Sequence, residues 1–153
     1  MKVYASVLQA NLLRLGETID TYLSYGVDGI HLDLMDSHYV AQLAFGHAWV
    51  KQIKSAVPCS VHVHLMMQDM TYARAAGFIE MGADCLMLHP STWSDSQQNW
   101  EKLCSEHDIK VVINPDESAQ DLSNWTAFAS GLLLMTVYPG YSGQSFIPEV
   151  LEK

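Results

Sequence analysis

GIHLDLMDSHYVAQLAFG, residues 29–46, interleaves two chemistries along one strand. Ile30, Leu32 and Leu34 are apolar. His31 and Asp33 stand between them, and Met35, Asp36 and His38 follow at once. Strand side chains alternate between faces, so His31 and Asp33 share the face opposite the aliphatic one. A strand buried on both faces has little use for an imidazole and a carboxylate two residues apart.

The same kind of segment recurs along the chain. Strands are expected over residues 3–8, 29–35, 60–66, 85–89, 110–114 and 132–137. Helices are expected over residues 11–25, 48–55, 69–81, 94–106 and 119–129, and residues 147–153 read as the opening of another. In the first helix Leu12, Leu15, Ile19, Tyr22 and Leu23 fall at helical spacing. Strand starts lie roughly 20 to 30 residues apart, the spacing of βα units. Alternating βα units imply a parallel sheet, either open and doubly wound or closed as a (β/α) barrel. The polar residues separate the two. Ser6, His31 with Asp33, His62 with His64, His89, Asn114 and Thr136 all fall late in their strands. A barrel has an inward face whose upper layer, at the C-terminal strand ends, carries the active site. The expected class is therefore α/β, a (β/α)8 TIM barrel with about six βα units present.

Composition narrows the function. The chain has 153 residues, nearly half of them apolar, and a net charge of −9 with only eight Lys and Arg. That argues against disorder, and against a nucleic-acid or anionic-membrane partner. Backbone amides can still hold a small phosphate in an acidic protein. Cys59, Cys85 and Cys104 are odd in number and form no CxxC, so a reducing cytoplasm is expected. The N-terminus reads as a strand turning into a helix, and no run nears the ~20 apolar residues of a membrane span. No linker or charge run marks a boundary, so residues 1–153 read as one domain.

If both polar pairs face inward, His31, Asp33 and His64 converge near the barrel axis. Imidazole and carboxylate suit a divalent metal such as zinc, iron, manganese or cobalt, which polarises a carbonyl and stabilises an enediolate. Met35, Met66 and Met135 end or follow three of these strands and would exclude water. Alone, a strand histidine is ordinarily a satisfied core group, and methionines ordinarily pack cores. A second signal is MTVYPGYSGQSF, residues 135–146: small residues after a strand let backbone N–H groups approach an anion. The plain alternative is an ordinary βα turn.

Taken together, SVLQANLLRLG, IHLDLMDSHYV, VHLMMQD, GADCLMLHP, INP and MTVYPGYSGQSFIPEVLEK resemble the ribulose-phosphate 3-epimerase family, in its order and spacing. The resemblance implies a (β/α)8 isomerase of the pentose phosphate pathway with one divalent metal. Such an enzyme interconverts D-ribulose 5-phosphate and D-xylulose 5-phosphate by proton transfer at C3 through an enediolate. It implies Ser6 and His64 against substrate; His31, Asp33 and His64 as metal ligands; and Asp33 as catalytic acid/base. Met35, Met66 and Met135 would shield the intermediate. Gly140, Tyr141, Ser142 and Gly143 would close on the phosphate. The implied partner is a small sugar phosphate, and family members often form homo-oligomers.

Several positions depart from the family pattern. Ser37 stands where glycine is usual, Ala41-Gln42 where Pro-Asn is usual, His62 where aspartate is usual, and Ser142 where a smaller residue is common. A histidine at 62 would alter metal affinity or become a ligand itself. The chain stops inside the sixth helix, before the family's seventh-strand aspartate, so a C-terminally incomplete barrel is expected. These departures leave open a catalytically impaired or non-catalytic relative that binds a sugar phosphate or partner. They equally leave open an epimerase for another ketose phosphate such as allulose 6-phosphate.

Overall fold

The structure, a computed structural model, describes residues 1–153. Six parallel strands lie side by side in chain order: β1 (Tyr4–Ser6), β2 (Gly29–Asp36), β4 (Ser60–Met66), β5 (Cys85–Leu88), β6 (Ile109–Ile113) and β7 (Gly131–Leu134). A two-residue strand, β3 (Leu43–Ala44), pairs antiparallel with the end of β2. Helices α1 (Leu15–Ser24), α2 (His47–Ala56), α3 (Tyr72–Glu80), α4 (Gln97–Glu106) and α5 (Ser123–Thr126) fill the crossovers. Parallel crossovers have one favoured hand, so between strands that never reverse order they carry the helices to one side. That is the winding of a barrel; a doubly wound sheet reverses its strand order. The chain forms the curled arc of a (β/α)8 fold.

Alternation then separates two faces. Ile30, Leu32 and Leu34 of β2 and Val61, Val63 and Leu65 of β4 join a buried cluster of 23 residues beneath the helices. Helices α1 to α4 each add a pair at i, i+3 or i, i+4 spacing: Leu15 and Ile19, Val50 and Ile53, Ala75 and Phe78, Trp100 and Leu103. Fully burying an aliphatic or aromatic side chain contributes about 1.5–3 kcal/mol, before the entropy of ordering it is subtracted. Thr71 and Ser96 cap α3 and α4 by accepting from the N–H groups of Arg74 and Asn99.

The concave face carries the polar residues. Register sets His31 beside His62, Asp33 beside His64, and Met35 beside Met66. A smaller apolar cluster on the same face joins Cys85, Met87 and Val112, with Leu133 and Met135 against it. Low on this face the Tyr4 ring lies over Gly29 and stacks on His62, centroids 3.7 Å apart. A Cβ on Gly29 would stand 2.4 Å from the Ser60 carbonyl oxygen and 2.7 Å from the Tyr4 ring, so only glycine permits the crossing.

Four local expectations change. The strand expected over 132–137 ends at Leu134, although Met135 N–H still donates to the Ile113 carbonyl. The helix expected over 119–129 is four residues of α5. Asp121, Ser123, Asn124 and Thr126 compete for backbone partners there, and Thr126 Oγ1 donates back to the Ser123 carbonyl. Residues 148–152 form a 3-10 helix rather than an α-helix. β3 was not legible at all, since two residues become a strand only through their partner. The three cysteines are free thiols, and no helix is long and apolar enough to cross a membrane.

Candidate metal centre and active site

Asp33 is the hub of the concave face. Its Oδ1 lies 3.0 Å from His31 Nε2 and 3.2 Å from His64 Nδ1, while Oδ2 accepts a 2.8 Å bond from Ser6 Oγ. Burial pushes the Asp33 carboxyl upward, but the bonds and charge of His31 and His64 outweigh it and hold it well below the usual carboxylate range. His64 is pushed down, because burial outweighs the pull of Asp33. One donor atom from each of His31, Asp33 and His64 lies within 4.8 Å of the other two.

Two imidazole nitrogens and one carboxylate oxygen fit a borderline divalent metal such as zinc, iron, manganese or cobalt. Asp33 also lines a cleft, together with Ser6, Met35, Met66 and Met135. The opposite wall is the loop after β7, Val137 to Ser142. Met35 and Met66 are each 2% exposed. The curl of the sheet thus carries the last loop back over the mouth of the first two strands.

That loop is held at several points. Gly140 has φ +107° and its α-carbon faces Val40, so that an added Cβ would stand 3.1 Å from the Val40 Cβ. Gln144 Nε2 donates to the carbonyls of Tyr138 and Tyr141, at 2.6 and 2.8 Å. Tyr141, Ser142 and Gly143 are exposed. Gly143, at φ +74°, lies just beyond the residues lining the cleft. The next helical turn starts only at Pro148, so no helix N-terminus follows the loop directly.

His62 takes a different place from its neighbours. It is 5% exposed, stacked on Tyr4, outside the three-residue cluster, and its Nδ1 has no hydrogen-bond partner. Burial, assisted by the charge of Lys110, lowers it to about 4. The alternative in which His62 itself joins the donor set is not met, since its ring stacks on Tyr4 and lies outside the cluster.

Sequence reasoning placed His89 and Asn114 in the polar layer without a role for either, and missed Tyr39 altogether. His64 Nε2 lies 2.8 Å from His89 Nε2, and His89 Nδ1 lies 3.0 Å from the Tyr39 hydroxyl. Asn114 Nδ2 donates to that hydroxyl at 2.8 Å. Burial and the neighbouring His64 push His89 far down. His89 at a strand end was the visible signal; Tyr39, in a loop, gave none. Asp36 is also structural: Oδ1 accepts from the N–H groups of His38 and Tyr39, and Oδ2 from that of Gln68.

An arc of parallel strands with a His/Asp/His donor set at its open mouth defines a (β/α)-barrel protein with a candidate metal site. The model of the "Ribulose-phosphate 3 epimerase family" matches residues 2–153, and the chain belongs to that family. It is 31% identical over 150 residues to the ribulose-phosphate 3-epimerase of Chlamydia pneumoniae, covering 97% of this chain and 65% of that protein. To the ribulose-phosphate 3-epimerase of Escherichia coli (strain K12) it is 34% identical over 151 residues, covering 97% of this chain and 66% of that one. The chain therefore spans about two thirds of the length of these relatives. Among solved structures, the 3-keto-L-gulonate-6-phosphate decarboxylase of Vibrio cholerae O1 biovar El Tor str. N16961 superposes with a TM-score of 0.61 at 17% identity. That match covers 83% of this chain and 58% of the other, and shows the shared fold.

Proposed function

We propose that this chain carries the metal and substrate groups of a ribulose-phosphate 3-epimerase, acting at C3 of a ketopentose 5-phosphate to interconvert D-ribulose 5-phosphate and D-xylulose 5-phosphate. The observation that carries this reading is the convergence of His31, Asp33 and His64 beside a cleft walled by three methionines and a glycine-bearing loop. A divalent metal held by these three residues would polarise the substrate carbonyl and stabilise negative charge on the adjacent oxygens.

The chain's own residues supply the rest. Asp33 is a carboxylate at working pH, so it is poised to take the C3 proton rather than to give one. Ser6, bonded to Asp33 Oδ2, orients the carboxylate and presents its own oxygen to the cleft. Met35, Met66 and Met135 keep water from the enediolate, and the drier surroundings raise the carboxylate's affinity for the proton. Backbone N–H groups of residues 140–143 are the candidates for the phosphate. The test is to follow ribulose 5-phosphate by NMR with zinc- or manganese-loaded protein beside Asp33→Asn. Xylulose 5-phosphate formed by the wild type alone is expected; conversion of no ketose phosphate sinks the reading.

One observation favours a second, narrower reading. Asp33 is the only carboxylate on the concave strand face, since Asp36 points away and is engaged with backbone. Inversion needs an acid/base on each side of the planar intermediate. This chain alone would then exchange the C3 proton with solvent and return it to the same face. Deuterium entering C3 faster than epimer appears supports that reading, and equal rates refute it.

A further inference from the structure

His64 is the middle of a hydrogen-bond line, not its end. The line runs Asp33 Oδ1, His64, His89, Tyr39, Asn114, with separations of 3.2, 2.8, 3.0 and 2.8 Å. His64 and His89 are each 1% exposed. Each link holds one proton, and one end fixes all of them. Ionised Asp33 only accepts. His64 must therefore donate from Nδ1, which leaves its Nε2 as an acceptor. His89 then donates from Nε2, which leaves its Nδ1 to accept the Tyr39 hydroxyl proton. The Tyr39 oxygen in turn accepts from Asn114 Nδ2. A second proton on His89 would put an unpaired charge in the buried layer, which is costly.

This arrangement cannot persist when a cation sits among His31, Asp33 and His64. His64 Nε2 is taken by His89, so Nδ1 is the nitrogen that faces the cluster. A ligating nitrogen presents its lone pair, and its proton must sit on the other ring nitrogen. We infer that His89 is a positioning residue for the metal centre, and that cation binding reverses the whole line from His64 to Asn114. His64 then donates from Nε2 to His89 Nε2, and His89 donates from Nδ1 to the Tyr39 oxygen. The Tyr39 hydroxyl turns to the Asn114 amide, whose oxygen rotates to receive it. Each imidazole keeps one proton throughout, and none is released.

The reversal has a route to the cleft. Tyr39 belongs to the segment between β2 and β3, and its neighbour Val40 packs against Gly140 of the loop over the site. Tyr39 thus stands next to the residue that touches the loop over the cleft.

This inference rests on reading the cluster as a divalent-cation site, and one sample tests both. The full chain, labelled with 15N-histidine, is titrated with Zn2+ by calorimetry, and long-range 1H–15N correlation reads which ring nitrogen of each histidine is protonated. Without zinc, His64 is expected protonated at Nδ1 and His89 at Nε2; with stoichiometric zinc, both swap. His89→Phe is expected to weaken zinc binding about 10- to 100-fold. His89→Gln, which can accept from His64 Nε2–H, is expected to stay within a few-fold of wild type. Zinc bound at the cluster with His89 still protonated at Nε2 overturns the inference alone, as does unchanged affinity in His89→Phe. Absence of zinc binding overturns the inference and the cation-site reading together.

Discussion

Asp36 Oδ2 accepts a 2.8 Å hydrogen bond from the backbone N–H of Gln68, joining the end of β2 to the segment after β4. The same carboxylate takes the N–H groups of His38 and Tyr39 on its other oxygen. It therefore anchors the residues that carry Tyr39 and Val40 over the site. Asp36→Ala leaves three backbone donors to find water, and a loss of about 2 kcal/mol is expected from such charge-assisted bonds. Urea unfolding of the two proteins measures it; equal midpoints would show that the anchor is dispensable.

Ser37 has φ +61°, a left-handed conformation disfavoured for a residue with a Cβ. Glycine, the residue the family resemblance leads one to expect there, adopts that conformation without penalty. Ser37→Gly removes strain of about 1–2 kcal/mol but adds unfolded-state entropy worth about 0.4–1 kcal/mol. A net gain of roughly 0.5–1 kcal/mol is expected, seen as a raised thermal midpoint. A lower midpoint would mean that the serine side chain holds the turn.

Gly140 and Gly143 both have positive φ, but only Gly140 also meets a neighbour, Val40. Gly143→Ala should cost about 1–2 kcal/mol of conformational strain alone. Gly140→Ala adds a contact that Val40 must yield to, so it should cost more and raise KM for the sugar phosphate at least several-fold. Chemical denaturation ranks the two variants. The reverse ranking would remove the Val40–Gly140 contact as a determinant.

Asp84 links α2 to the foot of β4, accepting from Lys54 Nζ at 2.6 Å and from Val61 N–H at 2.7 Å. Burial raises its carboxyl, but Lys54 and the Val61 N–H outweigh that and hold it below its ordinary value. A depressed carboxylate contributes stability that is fully present above the unfolded value near ~4 and disappears as pH falls through the folded one. The gap in stability between wild type and Asp84→Asn should therefore be constant from about pH 8 to 5 and shrink below about pH 4. A gap that persists at pH 2.5 would point to packing instead.

Under the proposed function, Asp33→Asn keeps the size of the group but removes the carboxylate proposed as the base and weakens the candidate donor set. Turnover with ribulose 5-phosphate should fall by about 10²–10⁴-fold, the usual contribution of a positioned base. Ser6→Ala should fall less, because it touches Asp33 from one side only. Kinetics under saturating metal separates the two effects, and an active Asp33→Asn would remove Asp33 from the chemistry.

The primary sequence by itself determined the faces. Alternation along GIHLDLMD put Ile30, Leu32 and Leu34 under the helices and His31 with Asp33 opposite them, as the structure has it. The βα rhythm determined the winding, because short crossovers between parallel strands have one favoured hand. The family resemblance implied Ser6, Met35, Met66, Met135 and residues 140–143 at one site; Ser6, the three methionines and residues 140–142 line one cleft with Asp33, and Gly143 lies just beyond it.

Only the tertiary structure decided which groups meet around the curl. His62 and His64 share a face and a spacing, yet Tyr4 stacks on the first while Asp33 and His89 bracket the second. The line through His89, Tyr39 and Asn114 joins residues 25 to 75 positions apart, and no local pattern encodes it. β3 formed for the same reason, whereas α5 is short because the Ser, Asn and Thr side chains along it compete locally for backbone partners. Periodicity is a property of neighbours along the chain, whereas a proton's position and a two-residue strand depend on partners that the folded sheet brings near.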